Sequence, residues 1–147
     1  MNILTFDIEE WYTYCSRSTE IDIKNSNRLE GYFDKLLEVL DQKKYTISFF
    51  VLGAIARSNP HVLHKIANAG HQIGCHSDTH QWLTNFSRAE LFEDTNRAIS
   101  SIEEIIGKKV VCYRAPAFSI TEKNKWAFEV LHQFGIEYDC SIFPASR

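Results

Sequence analysis

The sequence predicts an α/β fold of five successive β/α units, and three observations point to it. Short runs rich in β-branched and aromatic residues alternate with segments whose apolar residues recur at helical spacing. The run Thr46 to Leu52 is almost wholly β-branched, apolar or aromatic, as in strands buried on both faces of a parallel sheet. Helix stop signals fall at Gly70, Gly107 and Gly135, each just before the next strand-like run.

The elements follow in order. Asn2 to Phe6 reads as the first strand, and a polar stretch then leads to a helix carrying Leu29, Tyr32, Phe33, Leu36, Leu37 and Leu40, with Asn27 and Glu30 able to cap its start. After the strand Thr46 to Leu52, Asn59 and Pro60 open a second helix that runs to Gly70. Gln72 to Cys75 is a short third strand. The pattern Ser87-x-x-Glu90 is a capping box for a third helix through Leu91, Thr95, Ala98, Ile102 and Ile105. Val110 to Tyr113 forms strand four, Thr121 caps a fourth helix with Ala127, Val130, Leu131 and Phe134, and Tyr138 to Ile142 forms strand five.

Composition narrows the class. At 147 residues, 44% hydrophobic and 24% charged, residues 1–147 read as one domain, large enough to bury a core without disulfides. A net charge of −3, with no face that concentrates Lys and Arg, argues against a nucleic-acid partner. The four cysteines, Cys15, Cys75, Cys112 and Cys140, have no ribbon-type spacing; the last three lie in apolar runs and read as small buried hydrophobes. No run reaches the length of a membrane span, and MNILTFDIEE lacks the layout of a signal peptide, so the expectation is a cytoplasmic protein with no membrane segment.

The polar residues gather where the strands end. Asp7, Glu9 and Glu10 follow strand one; His76, Asp78 and His80 follow strand three; Arg114 ends strand four; Asp139 and Ser141 lie near the end of strand five. In parallel α/β folds the carboxyl ends of the strands line the ligand site. Within His76-Ser77-Asp78-Thr79-His80, two imidazoles four residues apart can reach one cation. The motif is not H-E-x-x-H, so the acid that completes a three-ligand site and the general base must come from elsewhere, and Asp7-Ile8-Glu9-Glu10 supplies candidates. A divalent ion lowers the pKa of a bound water to about 7, which makes hydroxide available as a nucleophile at neutral pH. Arg114, stiffened by Ala115-Pro116, suits an arginine that orients the base. His61, His64, His71 and His132 read as solvated residues on helices or at a strand start.

In order and at their separations, these segments resemble the polysaccharide deacetylase family, also called the NodB-homology or carbohydrate esterase family 4 domain. Thr5-Phe6-Asp7-Ile8-Glu9 is similar to the family's T-F-D-D, and Phe49-Phe50-Val51-Leu52-Gly53 to its second strand. The stretch Ala69-Gly70-His71-Gln72-Ile73-Gly74-Cys75-His76 through His80 resembles A-G-H-E-I-G-x-H-[ST]-x-x-H. Arg114-Ala115-Pro116 is similar to R-x-P, and Tyr138-Asp139-Cys140-Ser141 corresponds to the fourth motif. The resemblance implies Asp7 as general base, Arg114 as the residue that steadies it, His76 and His80 as metal ligands, and Pro116, Asp139 and Ser141 at the substrate side. It also implies one divalent ion, most naturally Zn²⁺, an N-acetylated saccharide as substrate, and a distorted (β/α)₇ barrel of which this chain holds the first five units.

Two departures shape the expectation. Ile8 stands where the family has its second aspartate, so the third ligand is assigned to Glu9, with Glu10 as competitor; this D-x-E form resembles members linked to capsule or exopolysaccharide synthesis. The family's last motif, L-x-H, supplies the histidine that protonates the leaving amine and does not occur here, so the stretch alone is expected to be poorly active. The barrel then reads as truncated, its open edge covered by an oligomeric partner or a further C-terminal segment. Three other readings compete: a phospho-acceptor receiver domain, a degenerate carbohydrate-binding module of the same fold, and a metal-independent amide hydrolase. Trp11, Trp82 and Phe118, just beyond strand ends, could stack on sugar rings, although packing onto the core is the simpler role.

Overall fold

The computed structural model describes residues 3–9 and 28–142, the side chains of residues 28–30 excepted. Its strands are β1 (Thr5–Ile8), β2 (Ser48–Val51), β3 (Gln72–Cys75), β4 (Cys112–Tyr113) and β5 (Tyr138–Asp139). The α-helices are α1 (Arg28–Lys43), α2 (Gly53–Ser58), α3 (Pro60–Asn68), α4 (Arg88–Ile106) and α5 (Ala127–Gln133). All four strand pairings are parallel and the spatial order is sequential, β1-β2-β3-β4-β5.

That order decides between two α/β architectures. Right-handed crossovers that always advance in one direction put the connecting helices on one face of the sheet and leave the other as a barrel interior. A receiver domain reverses direction at its first strand, in the order 2-1-3-4-5, so the sheet overturns that reading. The helix-side core gathers Phe49, Val51, Ile73 and Cys75 from the sheet with Phe33, Ile55, Leu63, Ile66, Leu91, Ile102 and Leu131 from the helices. On the opposite face the register brings Asp7, Phe50 and Gly74 into one row.

Several local expectations hold, because they rest on short-range chemistry. Ser87 and Glu90 form both halves of the capping box of α4, and Gly107 ends that helix with φ of 64°. Pro60 opens α3, and Gly70 follows it with φ of 79°.

Others are corrected. Strand β3 has the expected bounds, whereas β2, β4 and β5 are shorter than their apolar runs and β1 starts and ends later than expected, since only residues with a partner in register join the ladder. Asp7 therefore lies within β1 rather than after it, and Ser141 lies beyond β5. Thr121 caps a 3₁₀ turn, Glu122–Asn124, instead of α5. Asn59 makes no side-chain cap to α3; its amide donates to Ser58 Oγ. Helix α2 was not expected; it has no side-chain cap, and the N–H groups of Gly53 and Ala54 at its start donate to Ser77 O and Asp78 O, both at 3.0 Å. Tyr32, read as core, is exposed. Cys75 is buried as expected, whereas Cys112 and Cys140 are half-buried. Cys112 stands beside Gly74, on the inner face of the sheet rather than under the helices. Met1, Asn2, Glu10, Trp11, Cys15, Asn27 and the side chain of Glu30 fall outside the described residues. No helix among the described residues is long and apolar enough to cross a membrane.

Candidate metal centre

The site is built where β1, β3 and β4 end. The loop after β3 turns sharply: Ser77 and His80 both have left-handed backbones, with φ of 69° and 63°. For residues with a Cβ this is a strained conformation, of a kind that clusters at functional sites. Ser77 Oγ accepts from His80 N at 3.0 Å and closes the turn. The outcome is that the imidazoles of His76 and His80 meet edge to face, with ring centres 5.2 Å apart and planes inclined at 65°.

One ring has a defined tautomer. His76 Nδ1 lies 2.7 Å from the carbonyl oxygen of Arg114, which can only accept, so Nδ1 carries the proton and Nε2 presents its lone pair to the site. Burial pushes the His76 pKa down, against the opposing pull of Asp7, which favours the neutral ring that a ligand needs.

The acids of β1 meet these rings. His80 Nε2 lies 2.7 Å from Glu9 Oε2, and His76 Nε2 lies 3.8 Å from Asp7 Oδ2. One ligand atom from each of Glu9, His76 and His80 falls within 4.8 Å of the other two. Both imidazoles are only 2% exposed, while Asp7 and Glu9 are 28% and 21% exposed, so the acids border the open side. Glu9 Oε2 is buried with His80 Nε2 beside it. A carboxylate oxygen so placed is costly unless something cationic meets it. Two imidazoles, one carboxylate and an open fourth side are the donor set of a catalytic divalent-ion site.

Arg114 spans the site. Its Nη1 donates to Asp7 Oδ1 at 2.8 Å and its Nη2 to Thr5 Oγ1 at 2.9 Å. The guanidinium lies over the Phe50 ring, 4.2 Å from the centroid, with Phe118 at 5.8 Å. Since Arg114 holds Oδ1, it is the other Asp7 oxygen that lies near His76.

The three expected substrate-side residues, Pro116, Asp139 and Ser141, are engaged within the fold. Ser141 is fully buried; its hydroxyl donates to Asp139 Oδ2 at 2.7 Å and accepts from Ala115 N at 2.7 Å. Asp139 Oδ1 also accepts from Ser141 N, at 2.9 Å. Pro116 is buried as well. Neither Pro116 nor Ser141 offers side-chain surface to a sugar in this structure; Asp139 and Ser141 anchor the turn that carries Arg114. Burial raises the pKa of Asp139, with the Ser141 hydrogen bonds and Arg114 opposing. Trp82 remains exposed just past His80.

Sequence reasoning missed Thr5 and Phe50, which lie in register positions invisible before the strands are paired. It also left Asp78 without a role, although a charged residue between two candidate ligands was a signal.

The fold is that of a β/α-barrel protein, and Glu9, His76 and His80 together form a group that could hold a metal ion. The sequence pattern of the polysaccharide deacetylases matches residues 3–138, and the chain belongs to the polysaccharide deacetylase family. It is 27% identical over 117 residues to the peptidoglycan-N-acetylmuramic acid deacetylase PdaA of Bacillus subtilis, a match covering 79% of this chain and 44% of that protein. A candidate polysaccharide deacetylase from Mycobacterium smegmatis superposes with a TM-score of 0.76 at 26% identity, over 93% of this chain and 49% of the other. A carbohydrate esterase family 4 pseudoenzyme from Bacillus anthracis gives 0.73 at 20% identity, over 93% and 41%, which speaks for the fold alone. The chain thus spans less than half the length of each of the three.

Proposed function

We propose that the full-length protein removes N-acetyl groups from an N-acetylated sugar of a poly- or oligosaccharide, with Glu9, His76 and His80 as ligands of one divalent ion. Zn²⁺ suits a set of two imidazoles and a carboxylate. The observation that carries the reading is the convergence of those three ligand atoms within 4.8 Å, beside an aspartate clamped by an arginine. The named activity of PdaA, deacetylation of an N-acetylated peptidoglycan sugar, supports the substrate class.

When bound, such an ion supplies a Lewis acid and lowers the pKa of the attacking water. Asp7 would act as the general base, accepting a proton at Oδ2, the oxygen that Arg114 leaves uncommitted. Arg114 fixes the orientation of Asp7 with its side chain and that of His76 with its carbonyl. Burial of both imidazoles keeps bulk water from competing for them.

The test is metal analysis together with acetate release from N-acetylglucosamine oligomers and peptidoglycan, using the full-length protein, His76→Ala and Glu9→Gln. The expected result is one divalent ion per chain, lost with activity in His76→Ala and weakened in Glu9→Gln. Saccharide binding with no ion and no acetate release would instead identify a carbohydrate-recognition module.

A further inference from the structure

Asp78 lies between the two histidines, yet its carboxylate turns away from them. It is 3% exposed and receives two guanidinium groups. Arg57, from α2, meets it with both ends, Nη1 to Oδ1 at 2.7 Å and Nη2 to Oδ2 at 3.1 Å, and Arg97, from α4, adds Nε to Oδ2 at 3.2 Å. The backbone of Asp78 is equally engaged. Its N–H donates to Asp94 Oδ2 at 2.9 Å and its carbonyl accepts from Ala54 N at 3.0 Å. Ser77 O accepts from Gly53 N, so the first turn of α2 is bonded to the loop directly. Gly53 leaves no room for adjustment: a Cβ there would run into Asp78 Oδ1 and come within 2.6 Å of Ala98 Cα.

These contacts share one mechanical result. The turn from His76 to His80 contains two left-handed non-glycine residues, a conformation that persists only where surrounding contacts over-determine it. Asp78 sits between them, and its polar groups are tied to two helices. A bidentate Arg–carboxylate pair fixes direction as well as distance, which a single point charge does not.

We infer that Asp78, clamped by Arg57 and Arg97 and seated on Asp94, is the positioning residue that holds the His76–His80 turn in the shape presenting both imidazoles to Glu9. This rests on the reading of Glu9, His76 and His80 as a metal site and adds the means by which that site is pre-organised. Groups that orient ligands from behind typically contribute 10–100-fold to metal affinity.

Arg57 is the place to test it, because its side chain is 46% exposed and its loss leaves no cavity in the core. Co²⁺ affinity is measured for the full-length protein from the visible absorption of the bound ion. The expectation is that Arg57→Ala weakens Co²⁺ binding by roughly 10–100-fold at unchanged stoichiometry. Arg57→Lys, which can make only part of the paired contact, should fall between that variant and the parent. Lys109→Ala, which removes one positive charge from an exposed pair with Glu103, controls for net charge and should bind as the parent does. Equal affinity in Arg57→Ala and parent, or an equal loss in Arg57→Ala and Lys109→Ala, overturns the clamp while His76→Ala still marks the metal site. If the parent takes up no ion at all, the metal reading fails and the clamp falls with it.

Discussion

His76 and Arg114 are joined through the main chain: the carbonyl of Arg114 accepts from His76 Nδ1 at 2.7 Å, while the guanidinium of the same residue reaches Asp7 at 2.8 Å. One residue thereby sets the orientation of a candidate ligand and of the candidate base through separate groups. Side-chain substitution removes the second contact and spares the first.

Arg114→Lys should therefore keep its ion and lose turnover. Lysine cannot reach Asp7 and Thr5 together as the planar guanidinium does. A hydrogen bond to a charged group is worth about 1.5–3 kcal/mol, which corresponds to a loss of roughly 10–100-fold in kcat. Metal content and acetate release measured on the same preparation separate the two effects, and loss of the ion in step with activity would count against the division of labour.

Gly74→Ala should disturb the platform under Arg114. A Cβ at Gly74 would lie 2.8 Å from Phe50 Cδ1 and Cε1 and 3.0 Å from Cys112 O, and the Phe50 ring carries the Arg114 guanidinium at 4.2 Å. Overpacking of this kind costs about 1–3 kcal/mol, equivalent to a fall in Tm of roughly 2–12 °C at this size. Thermal melts read the cost directly. An unchanged Tm would mean that the ring moves aside freely.

Asp94 should make stability fall as pH rises. Burial pushes its carboxyl up to about 6 from an ordinary 3.8, outweighing the hydrogen bond from Asp78 N that favours the charged form. The folded state thus holds this proton at pH values where the unfolded chain has released it. The group's contribution is fully present below about pH 4 and is lost as pH climbs through 6. Asp94→Asn keeps an acceptor for Asp78 N without the charge. Its unfolding free energy relative to the parent should rise by an amount on the order of 2–3 kcal/mol between pH 4 and pH 7. Denaturant titrations of both proteins across that range give the difference, and a flat difference would show that Asp94 does not titrate there.

What the sequence determined by itself is what local chemistry encodes. The alternation of strands and helices, the Ser87 capping box, the Gly107 stop and the four-residue spacing of His76 and His80 each depend on a few consecutive residues. Tertiary structure alone decided which residues meet across the fold. Thr5, Phe50 and Gly74 become a support for Arg114 only once the strands are in register. The helix α2 exists because its first N–H groups find carbonyls at Ser77 and Asp78, and Ser141, polar and near a strand end, proves to be a buried tie to Ala115. The reason is physical: a cap or a turn is satisfied by its own neighbours in the chain, whereas a buried carboxylate or hydroxyl takes whichever partner the packing of distant segments delivers.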